Sequence, residues 1–179
     1  MSRVSIGISN SKAGLICDSR YHQVVKMMCL KARWRIYASM FIVELLPGEG
    51  ASDATDLRPS VVIELLEDLR NACLRGVDVR LVIGGAEHAI CIQDETEAAW
   101  AHCQKLRIPC RLAALHPKKS SHKKLVVADD MILIGSHNWS HGAFSGQIQD
   151  SVLIEDARLS AYFANEIARQ WRALKGTRT

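Results

Sequence analysis

Leu69-Arg70-Asn71-Ala72-Cys73-Leu74-Arg75-Gly76-Val77-Asp78-Val79-Arg80-Leu81-Val82-Ile83 decides the fold. Its first half closes an apolar series that starts after Ser60. Val62, Leu65, Leu66, Leu69 and Cys73 recur at i, i+3, i+4, i+7 and i+11, the repeat of one helical face. Gly76 then offers the residue that takes a left-handed conformation most cheaply, a helix stop. Val77 to Ile83 is rich in β-branched residues and reads as a strand ending at Gly84-Gly85. A helix, a glycine and a strand in immediate succession make a crossover unit, so the chain is expected to be α/β.

Working outward, the flanks repeat this alternation. Upstream, Tyr21 to Ala32 places Val24, Val25, Met28 and Cys29 at helical spacing, and Trp34 to Val43 reads as a buried strand. Arg3 to Ile8 alternates weakly and is expected to be a short strand, whereas Pro47 to Pro59 is a long loop. Downstream, Asp94 to Lys105 reads as a helix and Pro109 to Ala114 as a short strand. Lys123 to Ala128 and Met131 to Gly135 are separated only by Asp129-Asp130, which predicts a tight hairpin. Ser151 to Ile154 is a final strand. Asp156 can cap the last helix, in which Leu159, Phe163, Ile167 and Trp171 repeat every four residues and are expected in the core. The expectation is a single domain over 1–179 with a mixed, mostly parallel sheet flanked by helices.

Composition narrows the function classes. The chain has 179 residues, and its 48% hydrophobic and 23% charged content excludes disordered, fibrous and collagen-like classes. No run reaches the 18 or so apolar residues of a membrane span, since Ile36 to Leu46 is broken by Ser39 and Glu44. The first ten residues lack an apolar signal core, so a cytoplasmic location is expected. Six cysteines form no C-x-x-C pair and read as reduced core thiols. Cys91, His102, Cys103, Cys110 and His116 are the one cluster to weigh for zinc, and they lack the close ligand pairs of structural zinc sites. A net charge of +4 permits a polyanionic partner, with Lys118, Lys119, Lys123 and Lys124 close together and Arg158, Arg169, Arg172, Lys175 and Arg178 towards the C-terminus.

Chemistry concentrates around the predicted hairpin. The sequence reads His122-Lys123-Lys124-Leu125-Val126-Val127-Ala128-Asp129, then Gly135-Ser136-His137-Asn138-Trp139. Residues two apart on a strand share a face, so His122 and Lys124 project together, and the returning strand brings Ser136 and Asn138 back beside them. A neutral imidazole is a competent nucleophile or base near neutral pH, and a lysine stays cationic and holds phosphate oxygens. Ser136 and Asn138 can donate further hydrogen bonds where charge grows in a transition state. Asp129 is either an acid or the former of the turn. His116, His137 and His141 read as surface residues or substrate contacts, and Trp139 as packing beneath the site.

The pattern H-x-K-x4-D followed by G-S-x-N resembles the signature of the phospholipase D superfamily. Six specified residues at about 5% usage each would coincide only on the order of a few times per million chains of this length. Ala72 to Ile83 is similar to that family's helix, R-G-V-x-V-R turn and strand, so the resemblance covers roughly Tyr21 to Trp171. In length and single motif copy, the chain is most similar to the superfamily's small bacterial endonucleases and to its animal mitochondrial and piRNA-pathway members. Two departures stand out. The interval from Asp129 to Gly135 is five residues where the family commonly has six, and Gln149-Asp150-Ser151 falls where the family usually has a glutamate that orients the histidine.

The resemblance implies a two-step displacement through a phosphohistidine on His122, with Lys124, Asp129, Ser136 and Asn138 completing the catalytic set. The family takes its second histidine from a second motif, and this chain has one copy, so a homodimer that brings two His122 side chains together is expected. No cofactor and no metal are expected, since lysines supply the positive charge. The implied activity is a phosphodiesterase cleaving nucleic acid, DNA or RNA, single strands included. Two rivals are a phospholipid phosphodiesterase and a weakened nucleic-acid-binding module, the latter motivated by Gln149.

Overall fold

The structure is a computed structural model and describes residues 11–45, 60–84, 90–113 and 121–174, with the side chains of 90–93 left aside. Twelve elements follow in chain order: β1 (Lys12–Cys17), α1 (Arg20–Lys31), β2 (Arg35–Met40), α2 (Val61–Leu74), β3 (Asp78–Ile83), α3 (Ile90–Lys105), β4 (Cys110–Leu112), β5 (Lys124–Ala128), β6 (Met131–Gly135), α4 (His141–Ser145), β7 (Asp150–Glu155) and α5 (Ala157–Ala173). The strands form one mixed sheet in the order β1-β7-β6-β5-β2-β3-β4. The expected strand over Arg3 to Ile8 and the loop from Pro47 to Pro59 lie outside the described residues.

The deciding stretch folds as read. The Ser60 hydroxyl accepts from Val62 N at 3.3 Å, and Val62, Leu65, Leu66, Leu69 and Ala72 turn inward. Gly76 adopts φ +88°, and Val77 N donates to the Ala72 carbonyl at 3.1 Å, which closes the helix and aims the chain into β3. α5 starts in a comparable way, with Asp156 accepting from Leu159 N at 2.7 Å.

The α/β class and the mixed sheet are as expected, but the balance of directions is not. Only β2·β3 and β3·β4 pair in parallel, while β1·β7, β7·β6, β6·β5 and β5·β2 are antiparallel. A parallel pair needs a long crossover, and only α2 and α3 supply one between neighbouring strands. The Asp129-Asp130 turn and the short path through α4 join strands that can only run back antiparallel.

Two apolar layers sandwich the sheet. On one face, Tyr21, Val25 and Met28 of α1 join Leu65, Leu66 and Leu69 of α2, Cys103 of α3 and Phe144 of α4 over Ile36, Met40, Leu81 and Val126. On the other, Leu159, Ala164, Ile167 and Ala168 of α5 cover Tyr37, Leu125, Val127 and Ile132. The strict alternation of Leu125 and Val127 against Val126 and Ala128 makes β5 the central strand of both layers. Cys29, Cys103 and Cys110 are buried, Cys17 and Cys73 half-buried, and all five are free thiols. No group of metal-ligating side chains occurs among the described residues. No described helix is long and apolar enough to cross a membrane.

Candidate active site

β5 and β2 pair antiparallel with Lys124 opposite Met40, and β5 and β6 pair with Leu125 opposite Ile134. The start of β5, the end of β2 and the end of β6 therefore meet at one edge of the layers. The chain extends this meeting beyond the strands: Trp139 N donates to the Ile42 carbonyl at 3.1 Å, and Glu44 N to the Trp139 carbonyl at 2.8 Å. His122, Lys124, Ser136 and Asn138 all belong to this end. Asp129 does not. Five residues of extended strand put it roughly 17 Å from Lys124.

His122 and Lys124 form the centre. The Lys124 ammonium lies 3.1 Å from Nδ1 and 3.2 Å from Nε2 of His122, and donates to the His122 carbonyl at 3.3 Å. Beneath both sits Phe41, whose ring centroid is 4.4 Å from the imidazole at 47° and 4.9 Å from the ammonium. Lys124 is 9% exposed, and burial lowers its pKa from the ordinary lysine value. Burial first, and the Lys124 charge second, lower the His122 pKa below the usual histidine value. The His122 shift favours a neutral imidazole, which is the state a nucleophilic histidine needs, whereas the Lys124 shift is the cost of burying a cation beside it.

Close approaches fix this pair. Gly84 packs so tightly that an added Cβ would strike the Ser121 carbonyl and come within 3.1 Å of Phe41 Cα. Gln170 of α5 then holds the entering segment, donating to the Ser121 hydroxyl at 3.4 Å and accepting from Lys123 at 3.4 Å and from Ser39 at 3.3 Å. On the other side, a Cβ at Gly135 would collide with Ser151 and the Asp150 carbonyl, so only glycine lets β6 run on into Ser136.

The remaining predicted residues divide between site and scaffold. Ser136 is exposed, but its hydroxyl donates to the Asp150 carbonyl at 3.1 Å and accepts from Asp150 N at 3.2 Å, which knots β6 to β7. Asn138 is half-buried, with Oδ1 buried and unpartnered among the described residues. Asp129 takes φ +50° at the hairpin and accepts backbone N–H bonds from Arg33 at 2.8 Å, Trp34 at 3.2 Å and Arg35 at 3.1 Å. Its carboxylate thus binds the start of β2, and the turn-forming reading of Asp129 fits this position. Gln149 bonds Gln147 through its side chain and Asp18 through its backbone, with no hydrogen bond to His122.

His137 corrects the expectation of a surface histidine. It is 0% exposed, stacks on Tyr21 at 4.4 Å and 9°, and bonds Ser151 Oγ through Nδ1 at 2.8 Å. Trp139 is likewise fully buried, so it packs beneath the site. Burial pushes the His137 pKa below the usual histidine value. The unfolded chain takes up a proton near pH 6.5 and the folded one only at lower pH, so stability falls as pH drops through that window. Thermal melts between pH 7 and pH 5 should show a falling Tm, and His137→Gln should flatten the slope. A slope unchanged in that variant would assign the effect to His22 or His122, whose pKa values are also lowered.

A cavity of about 360 Å3 opens beside the pair, lined by His122, Lys124 and Leu125 and, from across the sheet, by Ile134, Tyr162, Phe163 and Glu166. Phe41, Gln170, Tyr162 and Glu166 escape a reading of the sequence. They come from segments remote in the chain and carry no motif. Phe163, expected in the core, is only half-buried and shares its ring with the cavity.

Comparison with known proteins identifies the family and the fold. A family model described as cardiolipin synthase, PLD-like domain, matches residues 59–171. No curated protein matches the sequence. The chain is similar to the crystal structure of a phospholipase D family member, Nuc from Salmonella typhimurium, with a TM-score of 0.72 and 18% identity over 95% of this chain and 100% of that one. NucT from Helicobacter pylori gives 0.68 and 14% over 93% and 99%. Phosphatidylserine synthase from Haemophilus influenzae Rd KW20 gives 0.65 and 14%, over 93% of this chain but 40% of that one.

Proposed function

The chain belongs to the PLD-like domain family, and from that premise we propose that it is a phosphodiesterase that cleaves nucleic acid through a phosphohistidine on His122, in a site shared by two subunits. One observation carries the reading. An imidazole shifted towards its neutral form is held against a partly buried ammonium at an open cavity. Until substrate arrives, Lys124 occupies the imidazole. A phosphodiester brings non-bridging oxygens that bind the ammonium better than a neutral ring does, so Lys124 turns to them and frees the nitrogen lone pair. His122 then attacks phosphorus, the bond from phosphorus to the leaving oxygen breaks, and that oxygen takes a proton. Water displaces the histidine in the second step.

The proton donor in step one and the base in step two must be a second imidazole. His137 is buried in the core, so it cannot serve. His122 of the partner subunit meets the need if a two-fold axis passes beside the cavity. Asn138 would add its amide hydrogens to the phosphate. The substrate class draws support from Lys123 beside Lys124 at the cavity, a pair of cations suited to a polyanion. A location in the cytoplasm belongs to the same proposal.

The test is a cleavage assay in chelator with labelled single- and double-stranded DNA and RNA and a short-chain phospholipid, beside His122→Ala. Cleavage of nucleic acid that the variant abolishes is the expected result. Turnover of the phospholipid alone overturns the substrate class. A second reading, a phosphate-binding module of low activity, is favoured by Gln149, whose carboxamide reaches Gln147 and not the imidazole. Tight binding without turnover would support it.

A further inference from the structure

The walls of the cavity beside His122 differ in chemistry. One is formed by His122, Lys123 and Lys124. The other is apolar and aromatic, built from Leu125 and Ile134 of the sheet and Tyr162 and Phe163 of α5, with the Glu166 carboxylate one turn along the helix. Leu159, Ala164, Ile167 and Ala168 fasten α5 to the sheet, which leaves Tyr162 at the rim with 36% of its surface exposed. Its ring meets Phe163 edge to face, at 5.6 Å and 74°, so the aromatic surface is held in place by a half-buried neighbour. Arg169 bonds Glu166 at 2.5 Å and steadies the carboxylate.

We propose that this cavity is a nucleobase subsite, in which one unstacked base lies against Tyr162 and Ile134 while its phosphodiester rests on His122 and Lys124. The inference rests on reading the site as one for nucleic acid. An aromatic face accepts any base, and Glu166 can accept from a ring N–H or exocyclic amine at the base edge. An acyl chain fits worse, because it would cover Glu166 and Lys123 while offering neither a hydrogen bond. The volume is near the lower end of the roughly 300–1,000 Å3 of ligand pockets, room for one base with its sugar, and a base that stays paired and stacked in a duplex cannot lay its face on Tyr162. Single strands are therefore preferred, and a duplex must first release a base.

Binding in the His122→Asn background, where no strand is consumed, tests this. Anisotropy would compare a labelled single strand, the same strand with abasic residues, and its duplex, with and without Tyr162→Ala. The base-bearing strand should bind at least about tenfold more tightly than the other two, equivalent to ~1.4 kcal/mol. Tyr162→Ala should cut that preference to within about twofold, and Tyr162→Phe should keep it. Equal affinity for base-bearing and abasic strands, or a preference untouched by Tyr162→Ala, overturns the subsite. So does displacement of the strand by a monomeric short-chain phospholipid in preference to a dinucleotide. If base preference survives in a wild-type protein that cleaves nothing, the subsite stands and the hydrolytic reading falls. A wild-type protein that binds and cleaves abasic and base-bearing strands alike keeps the hydrolytic reading and loses the subsite.

Discussion

His122→Ala is expected to lower kcat for nucleic-acid cleavage by at least about 10^4-fold, because the proposed reaction gives the residue two roles that no neighbour can take over. As the proposed nucleophile it would form the covalent bond to phosphorus. As the partner's proposed general acid it would protonate the leaving oxygen. Lys124→Met should cost less, since it removes charge stabilisation but leaves both imidazoles, and should also relieve the cationic pressure that lowers the His122 pKa. The double role has a kinetic signature. In dimers mixed at random from wild-type and His122→Ala subunits, activity should fall with the square of the wild-type fraction if each turnover needs both imidazoles. A linear fall would mean that each protomer works alone and would remove the shared site. The pH profile follows from the same pair. The nucleophilic ring must be neutral, and its pKa is lowered, so the acid limb of kcat/KM should lie below the usual 6.5. The partner ring must be protonated, so an alkaline limb should follow, and the two apparent values belong to the pair.

These expectations concern residues that a single sequence displays, and the reasons are physical. His122, Lys124, Ser136 and Asn138 could be placed at one end of the sheet because strand alternation and a two-residue hairpin fix which side chains return beside which. The helix over 60–74 and the strand after Gly76 were equally legible, one from its repeat and the other from its β-branched run. β1 was not. Lys12-Ala13-Gly14-Leu15-Ile16-Cys17 lies at the sheet edge with its first four residues exposed, so burial never imposed an alternating pattern on it. α4 has five residues, too few to carry a helical period. Sheet direction was misjudged because periodicity reports which face is buried, not which way a neighbour runs. His137 carries a polar side chain whose burial depends on stacking against Tyr21 in a remote helix, and local sequence holds no trace of that. The same limit hid Phe41, Gln170 and the aromatic wall of α5. A motif names the groups that do chemistry, whereas the residues that tune and position those groups are chosen by three-dimensional neighbours.

Asp129→Ala is expected to destabilise the fold by about 3–5 kcal/mol while leaving the chemistry of the folded fraction largely intact. Three backbone N–H groups, from Arg33, Trp34 and Arg35, would lose their acceptor at once. All three belong to the segment that starts β2, the strand shared by the parallel and antiparallel halves of the sheet. The φ of +50° adds a further cost, since alanine tolerates the left-handed region less well than aspartate. The Asp129 carbonyl, which accepts from Arg35 Nη2 at 3.0 Å and from the Ser160 hydroxyl, also depends on that turn to reach β2 and α5. Asp129→Asn should recover about half of the loss. Its side-chain oxygen can still accept from Trp34 and Arg35, and asparagine suits positive φ, but its amide hydrogens would oppose the Arg33 N–H. Urea denaturation of the three proteins measures the stabilities, and single-turnover cleavage normalised to folded protein measures the chemistry. An Asp129→Ala protein as stable as wild type but unable to cleave would place the carboxylate at the substrate, contrary to its position at the far end of β5.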